Sequence, residues 1–250
     1  MIAVVVVRDG VLPLGADECV AEAGGRVLLV GTGTATAAKE QVARVTDVRV
    51  AEVDGGFAPG AWADAIASLL HDEDVVLLPA SADGRDLAPR LAFALDRPLL
   101  AGAVLVAPGR VVVARDGGLV AEEHDMTGPF VATLEPGVRG VAPATGEPPA
   151  PIAVDLAVAP GTDVHVVDVL PPDPTTMDLS EAPRILSGGA GLKSADAFAT
   201  LEAVATALGA SYGASRVVAD VGWVPQDRFI GTTGVAVDPK LYVAFGISGA

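Results

Sequence analysis

Four short stretches in the last third of the chain combine small residues with hydroxyl groups and one arginine. They are Ser187–Gly191, Ser215–Arg216, Gly231–Thr233 and Ser248–Ala250. Several of them follow apolar, strand-like runs, and ligands in open α/β sheets bind at the carboxyl ends of strands. Glycines at such turns let a backbone N–H approach a phosphate or a ring oxygen. The pattern therefore predicts a small-molecule site built from turns.

Two catalytic or nucleotide motifs nearly fit these stretches, and both are excluded. A P-loop needs glycine, lysine and a hydroxyl residue in succession, whereas Leu192 separates Gly191 from Lys193. The stretch GISGA at residues 246–250 resembles the G-x-S-x-G turn of α/β-hydrolases. That fold takes its acid and histidine from downstream of the serine, and this sequence offers neither there.

Composition limits the class of protein. The chain has 250 residues, 51% hydrophobic but only 4% aromatic, so its cores must consist mainly of Ala, Val and Leu. A net charge of −16 argues against binding to nucleic acid or an anionic membrane surface. Cys19 is the one cysteine, which excludes an internal disulfide and fits a reducing, cytoplasmic location. No apolar run approaches the roughly 20 residues that span a bilayer, so no membrane insertion is expected.

The first half alternates short apolar runs with helical segments. The predicted strands are Ile2–Val7, Arg26–Val30, Val48–Val53 and Asp74–Pro79, and the predicted helices are Thr36–Val45, Gly60–Leu70 and Leu87–Leu95. Continuous apolar runs of this length indicate parallel strands buried on both faces. The fold class is therefore α/β, with a mainly parallel sheet flanked by helices.

Two polar turns in this half have a possible nucleotide-binding role. Gly31 and Gly33 form a G-x-G without its third glycine, and Glu52 lies at about the spacing of a ribose-binding acid. A tight strand-to-helix turn is the favoured interpretation. A second turn carries Ser81, Asp83 and Arg85; there, helix capping and surface solvation are preferred over nucleotide binding.

A hairpin is predicted around Asp116–Gly118, between two β-rich runs. After it, His124 is surrounded by three acids, Glu122, Glu123 and Asp125. Such a cluster at a hairpin end is more typical of a solvated sheet edge than of a metal site. The other histidines, His71 and His165, have no partners at ligand spacing, so no metal is predicted.

The remaining segments define the domain organisation. Pro143–Pro151 is predicted as a surface loop, Val164–Leu170 as a strand returning to the first sheet, and Pro171–Pro183 as an interdomain linker. The predicted domains are residues 1–182 and 183–250. In the second domain a strand ends at Leu186 and a helix follows that Gly209 stops; its apolar stripe is Phe198, Leu201, Val204, Ala205 and Leu208. A last strand is predicted over Leu241–Phe245.

Read together, four blocks resemble the FAD-binding domain of the electron transfer flavoprotein alpha subunit. They are LSGGAGLKS, GASRVVADVGWVPQD, GTTG and LYVAFGISGA, in the family's order and spacing. The stretch DVVLLP with its following turn and helix is similar to the N-terminal domain of the same subunit. Ala190 stands where the family usually has arginine, and Thr232 where it usually has glutamine. The family also continues beyond the position of Ala250, so we expect a Rossmann-like second domain that is incomplete, as in a truncated product.

The resemblance implies an electron carrier, rather than an enzyme with its own substrate, that binds FAD. It places Arg216 near the flavin ring, where it favours the one-electron-reduced anionic flavin, and Thr233 near the flavin N5. The implied cofactor-binding residues are Ser215, Arg216, Ile230, Gly231, Thr232, Thr233, Ser248, Gly249 and Ala250. The implied partners are a beta-type subunit in a heterodimer, dehydrogenases as transient electron donors, and a quinone-linked acceptor such as the flavoprotein's quinone oxidoreductase.

Alternatives remain at the level of the residues. Arg216 has possible ion-pair partners in Asp220 and Asp227, the Ser and Thr residues are common turn caps, and Trp223 is expected to pack in the core. At the level of function, the chain is alternatively a non-catalytic structural or regulatory subunit with a weak or absent flavin site. A third possibility is an adenine-nucleotide-binding module without redox chemistry.

Overall fold

A computed structural model describes the chain except for residues 42, 145–147, 160–162, 165, 169, 171, 249 and 250. The chain separates into two compact units, Met1–Asp168 and Val169–Ala250. The predicted boundary between residues 182 and 183 stays a proposal about the functional domains. No helix in the described part of the chain is both long and apolar enough to cross a membrane.

The first unit contains a nine-stranded sheet in its described residues. Its strands are β1 (Ile2–Val7), β2 (Arg26–Gly31), β3 (Asp47–Glu52), β4 (Val75–Pro79), β5 (Leu99–Ala107), β6 (Arg110–Arg115), β7 (Val120–Asp125), β8 (Phe130–Leu134) and β9 (Ile152–Ala153). Their order is β7-β6-β5-β8-β4-β1-β2-β3-β9. The pairs from β5 through β8, β4, β1, β2 and β3 to β9 are parallel, and β5, β6 and β7 form an antiparallel meander. This is the α/β fold that the sequence predicts.

Among the residues that the structure describes, four helices cover the two faces of this sheet: α1 (Ala16–Glu22), α2 (Thr34–Glu40), α3 (Pro59–Leu70) and α4 (Ala82–Ala94). In β1, Ala3, Val5 and Val7 pack in the core on the α1 and α2 side. The alternate residues of β1 pack with α3 and α4. Because both faces of the strand are buried, every one of its positions must be apolar.

The hairpin prediction around residues 116–118 is confirmed. Asp116–Gly118 forms a short 3₁₀ turn that joins β6 to β7 in an antiparallel pair. β7 is the edge strand of the sheet, and the acids of the His124 cluster lie exposed on it. The described residues contain no group of His, Cys, Asp and Glu side chains arranged to hold a metal ion.

Two helix predictions in this unit had wrong ends. α2 covers Thr34–Glu40, so the predicted helix Thr36–Val45 began two residues too late and ended five residues too late. α4 begins at Ala82 instead of Leu87, because Ser81 caps it by accepting a hydrogen bond from the Gly84 N–H at 3.2 Å. Gly84 is needed in this first turn, since a Cβ there would lie 2.0 Å from the Pro79 oxygen.

The strand predicted over Val164–Leu170 is also wrong. Its described residues form no strand, and Val164, Val167 and Leu170 are exposed, while His165 and Val169 lie outside the described residues. The strand that returns to the first sheet is the short β9, parallel to β3. β9 begins directly after the predicted loop Pro143–Pro151. Part of that loop lies outside the described residues.

The second unit contains a three-stranded parallel sheet in its described part. Its elements are β10 (Arg184–Gly188), α5 (Ala195–Ala207), β11 (Ser211–Ala214), α6 (Arg216–Asp220) and β12 (Leu241–Phe245). The strand order is β11-β10-β12. On α5, Phe198, Leu201 and Ala205 are buried as predicted, but Val204 and Leu208 are 45% and 58% exposed. The buried stripe of α5 is therefore narrower than the apolar stripe of the sequence.

Candidate functional site

The three strands of the second unit end at one edge of the sheet. β10 pairs in parallel with β11 and with β12, so Gly188, Ala214 and Phe245 lie side by side. The predicted site residues follow these strand ends. This arrangement matches the rule that ligands of open α/β sheets bind beyond the carboxyl ends of the strands.

The glycines after β10 have a different role from the one that the sequence suggests. The N–H groups of Gly189 and Gly191 donate to the oxygens of Phe245 and Gly246, at 2.8 and 2.9 Å. A Cβ on Gly189 would lie 2.3 Å from the Gly246 oxygen. Gly246 itself has a φ of +62°, which favours glycine. These glycines therefore let two bends of the backbone pack against each other, and their N–H groups are not available to a ligand.

Ser215 and Arg216 follow β11 at this edge. The Ser215 N–H donates to the Gly188 oxygen at 3.0 Å, which ties this turn to the end of the central strand. Arg216 is the first residue of α6, and its Nε lies 3.4 Å from Asp220 Oδ2, with 66% of the side chain exposed. The ion pair with Asp220 considered from the sequence is therefore present. An exposed pair of this kind contributes at most about 1 kcal/mol, so Arg216 can exchange Asp220 for a ligand at little cost.

The bend Gly231–Gly234 lies beyond the end of β11. Its stem is held by Ile230, whose N–H donates to the Ala214 oxygen at 2.9 Å, and the Gly234 N–H closes the turn onto the Gly231 oxygen at 2.9 Å. Thr232 and Thr233 are exposed at its tip, and neither backbone N–H donates to another described residue. The tip thus offers hydroxyl and N–H donors to solvent or a ligand.

The last predicted stretch is only partly described. Ser248 is exposed beyond β12, directly after the bend that packs on Gly189, whereas Gly249 and Ala250 lie outside the described residues. The backbone hydrogen bonds thus bring the beginnings of three bends to one edge of the sheet. The donor set there is a guanidinium, several hydroxyls and unpaired backbone N–H groups. Such donors fit a cofactor with a phosphate-bearing chain and a ring that gains negative charge on reduction.

In the first unit, side chains of the protein itself occupy the two turns that were considered as nucleotide sites. Glu52 at the end of β3 accepts hydrogen bonds from the N–H groups of Gly33 and Thr34, at 2.5 and 3.0 Å, and from the Thr34 hydroxyl at 2.7 Å. Its carboxylate therefore fills the turn in which a dinucleotide phosphate binds in related folds. A Cβ on Gly31 would lie 2.0 Å from the Val7 oxygen. The tight-turn interpretation of this G-x-G is the one that the structure supports.

The second polar turn of the first unit is closed by an ion pair. Arg8, which follows β1, donates to both carboxylate oxygens of Asp83 at 2.6 Å, and its guanidinium lies 5.3 Å from the centre of the Phe57 ring. Ser81 is the cap of α4, and Arg85 is exposed. The capping role is confirmed for Ser81 and the solvated position for Arg85, whereas Asp83 is held by its ion pair with Arg8. The Arg8 contact between two separate loops was not foreseen from the sequence.

Replacing Glu52 with glutamine is expected to destabilise the first unit by about 1 kcal/mol at neutral pH, the usual loss for a helix cap. The hydrogen bonds from the Thr34 hydroxyl and from the N–H groups of Gly33 and Thr34 hold the Glu52 pKa below its ordinary value of 4.5. The stabilisation is therefore complete above pH 4.5 and is lost as the pH falls through the lowered pKa. Urea unfolding of the unchanged protein and of Glu52→Gln, from neutral pH to below pH 4.5, measures this difference in unfolding free energy.

A matched control for this prediction is Glu40→Gln, at the exposed end of α2. This change removes the same charge from α2, the helix whose first turn Glu52 contacts, but no hydrogen bond to the Gly33 turn. The prediction for Glu52 fails if both variants show the same dependence of unfolding free energy on pH.

The two-unit α/β fold and the donor-bearing sheet edge define a class of two-domain, ligand-binding α/β proteins, and comparison with known proteins specifies it. Residues 15–160 match the family model described as electron transfer flavoprotein domain, and residues 178–250 match the electron transfer flavoprotein FAD-binding domain. The chain therefore belongs to the electron transfer flavoprotein family, as a member of the alpha-subunit type. Its second unit carries the FAD-binding domain of that family, and FAD is the cofactor.

Relatives named electron transfer flavoprotein subunit alpha agree with this assignment. The chain is 39% identical to the Mycobacterium leprae protein over 75% of the chain and 60% of that relative. It is 36% identical to the Paracoccus denitrificans protein over 90% of the chain and 74% of the relative. With the Pseudomonas aeruginosa protein it shares 33% identity, over 95% of the chain and 76% of the relative. The chain thus spans about three fifths of the length of the first of these relatives.

Proposed function

We propose that this chain pairs with a beta-type subunit as an electron carrier of the cytoplasm. Its FAD accepts electrons from dehydrogenases and passes them to a quinone-linked acceptor. The observation that carries the proposal is the convergence of Arg216, the Thr232–Thr233 tip and Ser248 on one edge of the parallel sheet in the FAD-binding domain. In the functional protein we take residues 1–182 and 183–250 as the two domains.

The reversible uptake of electrons is the chemistry that FAD supplies when it is bound. The contribution of the chain is binding and electrostatics. Arg216 would turn from Asp220 to the ring and stabilise the negative charge gained on reduction, because a guanidinium keeps its charge at all working pH values. Thr233 would donate its hydroxyl to the ring near N5, and Ser248, with Gly249 and Ala250, would hold the phosphate-bearing chain. Ser215, Ile230, Gly231 and Thr232 fix the two bends around these donors.

Replacing Arg216 with alanine tests this role directly. We expect the flavin to become harder to reduce, because about 1 kcal/mol of charge stabilisation is lost from the reduced form. That loss corresponds to about 20 mV in a two-electron midpoint potential. Asp220→Asn removes the competing partner of Arg216 and is expected to shift the potential in the opposite direction. Spectroelectrochemical titration of the complex with its beta-type partner measures both shifts.

The control for this experiment is Arg184→Ala, because Arg184 is exposed at the opposite end of β10. It removes the same charge from the same unit, away from the strand ends. An unchanged potential in Arg216→Ala, or an equal shift in Arg184→Ala, contradicts the role given to Arg216.

A second candidate function is a structural subunit that keeps the fold without flavin. It is favoured by two observations: the N–H groups of Gly189 and Gly191 are bonded within the protein, and Arg216 is paired with Asp220. Ala190 adds no charged group to this edge. The visible spectrum of the chain purified with its partner separates the two functions, since flavin absorbance supports the carrier and a colourless complex supports the structural subunit.

A further inference from the structure

Arg228 is a buried cation in the second unit, with only 5% of its surface exposed. It ends the 3₁₀ turn Gln226–Arg228, directly before the stem of the Gly231–Gly234 bend. Its guanidinium lies over the Tyr212 ring, 5.1 Å from the centroid, and its Nη2 donates to the Thr175 oxygen at 2.6 Å. Within the described residues no carboxylate lies at ion-pair distance, and Nη1 has no hydrogen-bond partner.

Burying a guanidinium is costly, so the groups around Arg228 must offset the cost. Two direct contacts contribute: the cation–π contact with Tyr212 and the charge-assisted hydrogen bond to Thr175. The Asp173 carboxylate adds attraction at longer range, because hydrogen bonds from Thr175 and the charge of Arg228 together hold the Asp173 pKa below its ordinary value. Tyr212 belongs to β11 and Thr175 belongs to the incoming segment of the unit. Arg228 therefore joins three pieces of chain: the strand, the turn before the bend, and the segment around Thr175.

The segment from Asp173 to Ala182 is ordered by its own contacts. Asp173 Oδ1 accepts hydrogen bonds from the Thr175 N–H and hydroxyl at 2.8 and 2.7 Å, and the Met177 N–H donates to the Asp173 oxygen at 2.9 Å. Further along, Leu179 and Ala182 are 1% and 3% exposed and pack in one cluster with Ile185.

The same cluster includes side chains from both sides of the bend. Ile230, before the bend, and Val235, after it, pack against this cluster of Leu179, Ala182 and Ile185. The segment therefore packs behind Ile230 and Val235, the two residues that flank the Gly231–Gly234 bend and form its stem. Its end near Thr175 is held by Arg228.

We propose that Arg228 is a positioning residue of the flavin site. It holds the segment Asp173–Ala182 in place behind the Gly231–Gly234 bend, which carries Thr232 and Thr233. The link to flavin rests on the proposed function. Arg228 does not touch the cofactor in this proposal. It acts through the segment and the stem, which set where the exposed donors of the bend lie.

The test compares Arg228→Met and Arg228→Lys with the unchanged full chain, by hydrogen exchange without FAD and by FAD titration. In Arg228→Met, we expect the amides of Thr176, Met177 and Val235 to exchange about tenfold faster or more, since the cation–π contact and the charged hydrogen bond are both lost. We expect FAD to bind about three- to tenfold more weakly. Arg228→Lys keeps the positive charge but lacks the planar guanidinium. It should restore part of the protection from exchange and part of the FAD affinity.

Arg184→Met is the matched control, because Arg184 is an exposed arginine of the same unit and should leave both readouts unchanged. Unchanged exchange of the Thr176 and Met177 amides in Arg228→Met overturns the proposal. Faster exchange with unchanged FAD affinity overturns the positioning role. If the unchanged chain binds no FAD in its complex, the proposed function fails, while the exchange result still decides whether Arg228 holds the segment. Should Arg228→Met not fold, Arg228→Lys decides by the same criteria.

Discussion

Replacing Gly189 with alanine is expected to separate the bends after β10 and β12 and to abolish FAD binding. The added Cβ would lie 2.3 Å from the Gly246 oxygen, which cannot move aside because it accepts the Gly191 N–H. The collision and the loss of two backbone hydrogen bonds together cost about 3–5 kcal/mol. Since whole domains are stable by about 5–15 kcal/mol, this loss removes a large share of the stability of the second unit. Circular dichroism and FAD titration of the variant measure the two losses.

Gly222→Ala provides the control for this prediction. Gly222 has a φ of +76° but no atom within 4 Å of an added Cβ. This variant carries only the strain of a left-handed backbone, about 1–2 kcal/mol, and it should still fold and bind FAD. If Gly189→Ala is no more destabilised than Gly222→Ala, the packing of the two bends is not what these glycines provide.

Replacing Phe198 with alanine is expected to cost about 3–5 kcal/mol of unfolding free energy and to destabilise the second unit alone. Phe198 is 1% exposed, packs edge-to-face on Tyr212 and lies directly over Gly188, where a Cβ would meet its ring at 2.5 Å. Among the described residues, the core that contains it is made of side chains of the second unit. Hydrogen exchange followed by mass spectrometry should show lost protection in α5 and β11, with normal protection in β1 and β4.

Phe93→Ala is the same substitution at a side chain that is 90% exposed on α4. It removes almost no buried surface, so its unfolding free energy should stay within about 0.5 kcal/mol of the unchanged protein. Loss of protection in β1 and β4 of the Phe198 variant would contradict the view that each unit is stabilised by its own core.

Strands β1, β2 and β4 were predictable because their apolar residues are contiguous. Ile2–Val7 has the same bounds in the sequence prediction and in the structure, since a strand buried on both faces tolerates no polar position. β9 was missed because it is only two residues long and its Ile152 is 58% exposed. The strand predicted over Val164–Leu170 was wrong because a segment rich in valine reads as a strand whether or not its side chains are buried.

The parts of the site that could not be predicted depend on contacts between distant residues. The spacing of Glu52 from the Gly33 turn suggested a ribose ligand, but only the register of β2 and β3 shows that its carboxylate reaches the turn. Likewise, the ligand-contacting role predicted for the glycines after β10 was wrong, because their actual role depends on Gly246, over 50 residues away. The contact of Arg228 with Thr175 spans 53 residues and has no local pattern.

The order of strands in the second sheet also has a consequence for biosynthesis. The central strand β10 is made well before its neighbour β12, which follows it by more than 50 residues in the chain. A ribosome must therefore translate about 60 further codons after β10 before Gly189 meets Gly246. During that interval one side of β10 is unpaired, and nascent chains of this unit offer an open strand edge to chaperones.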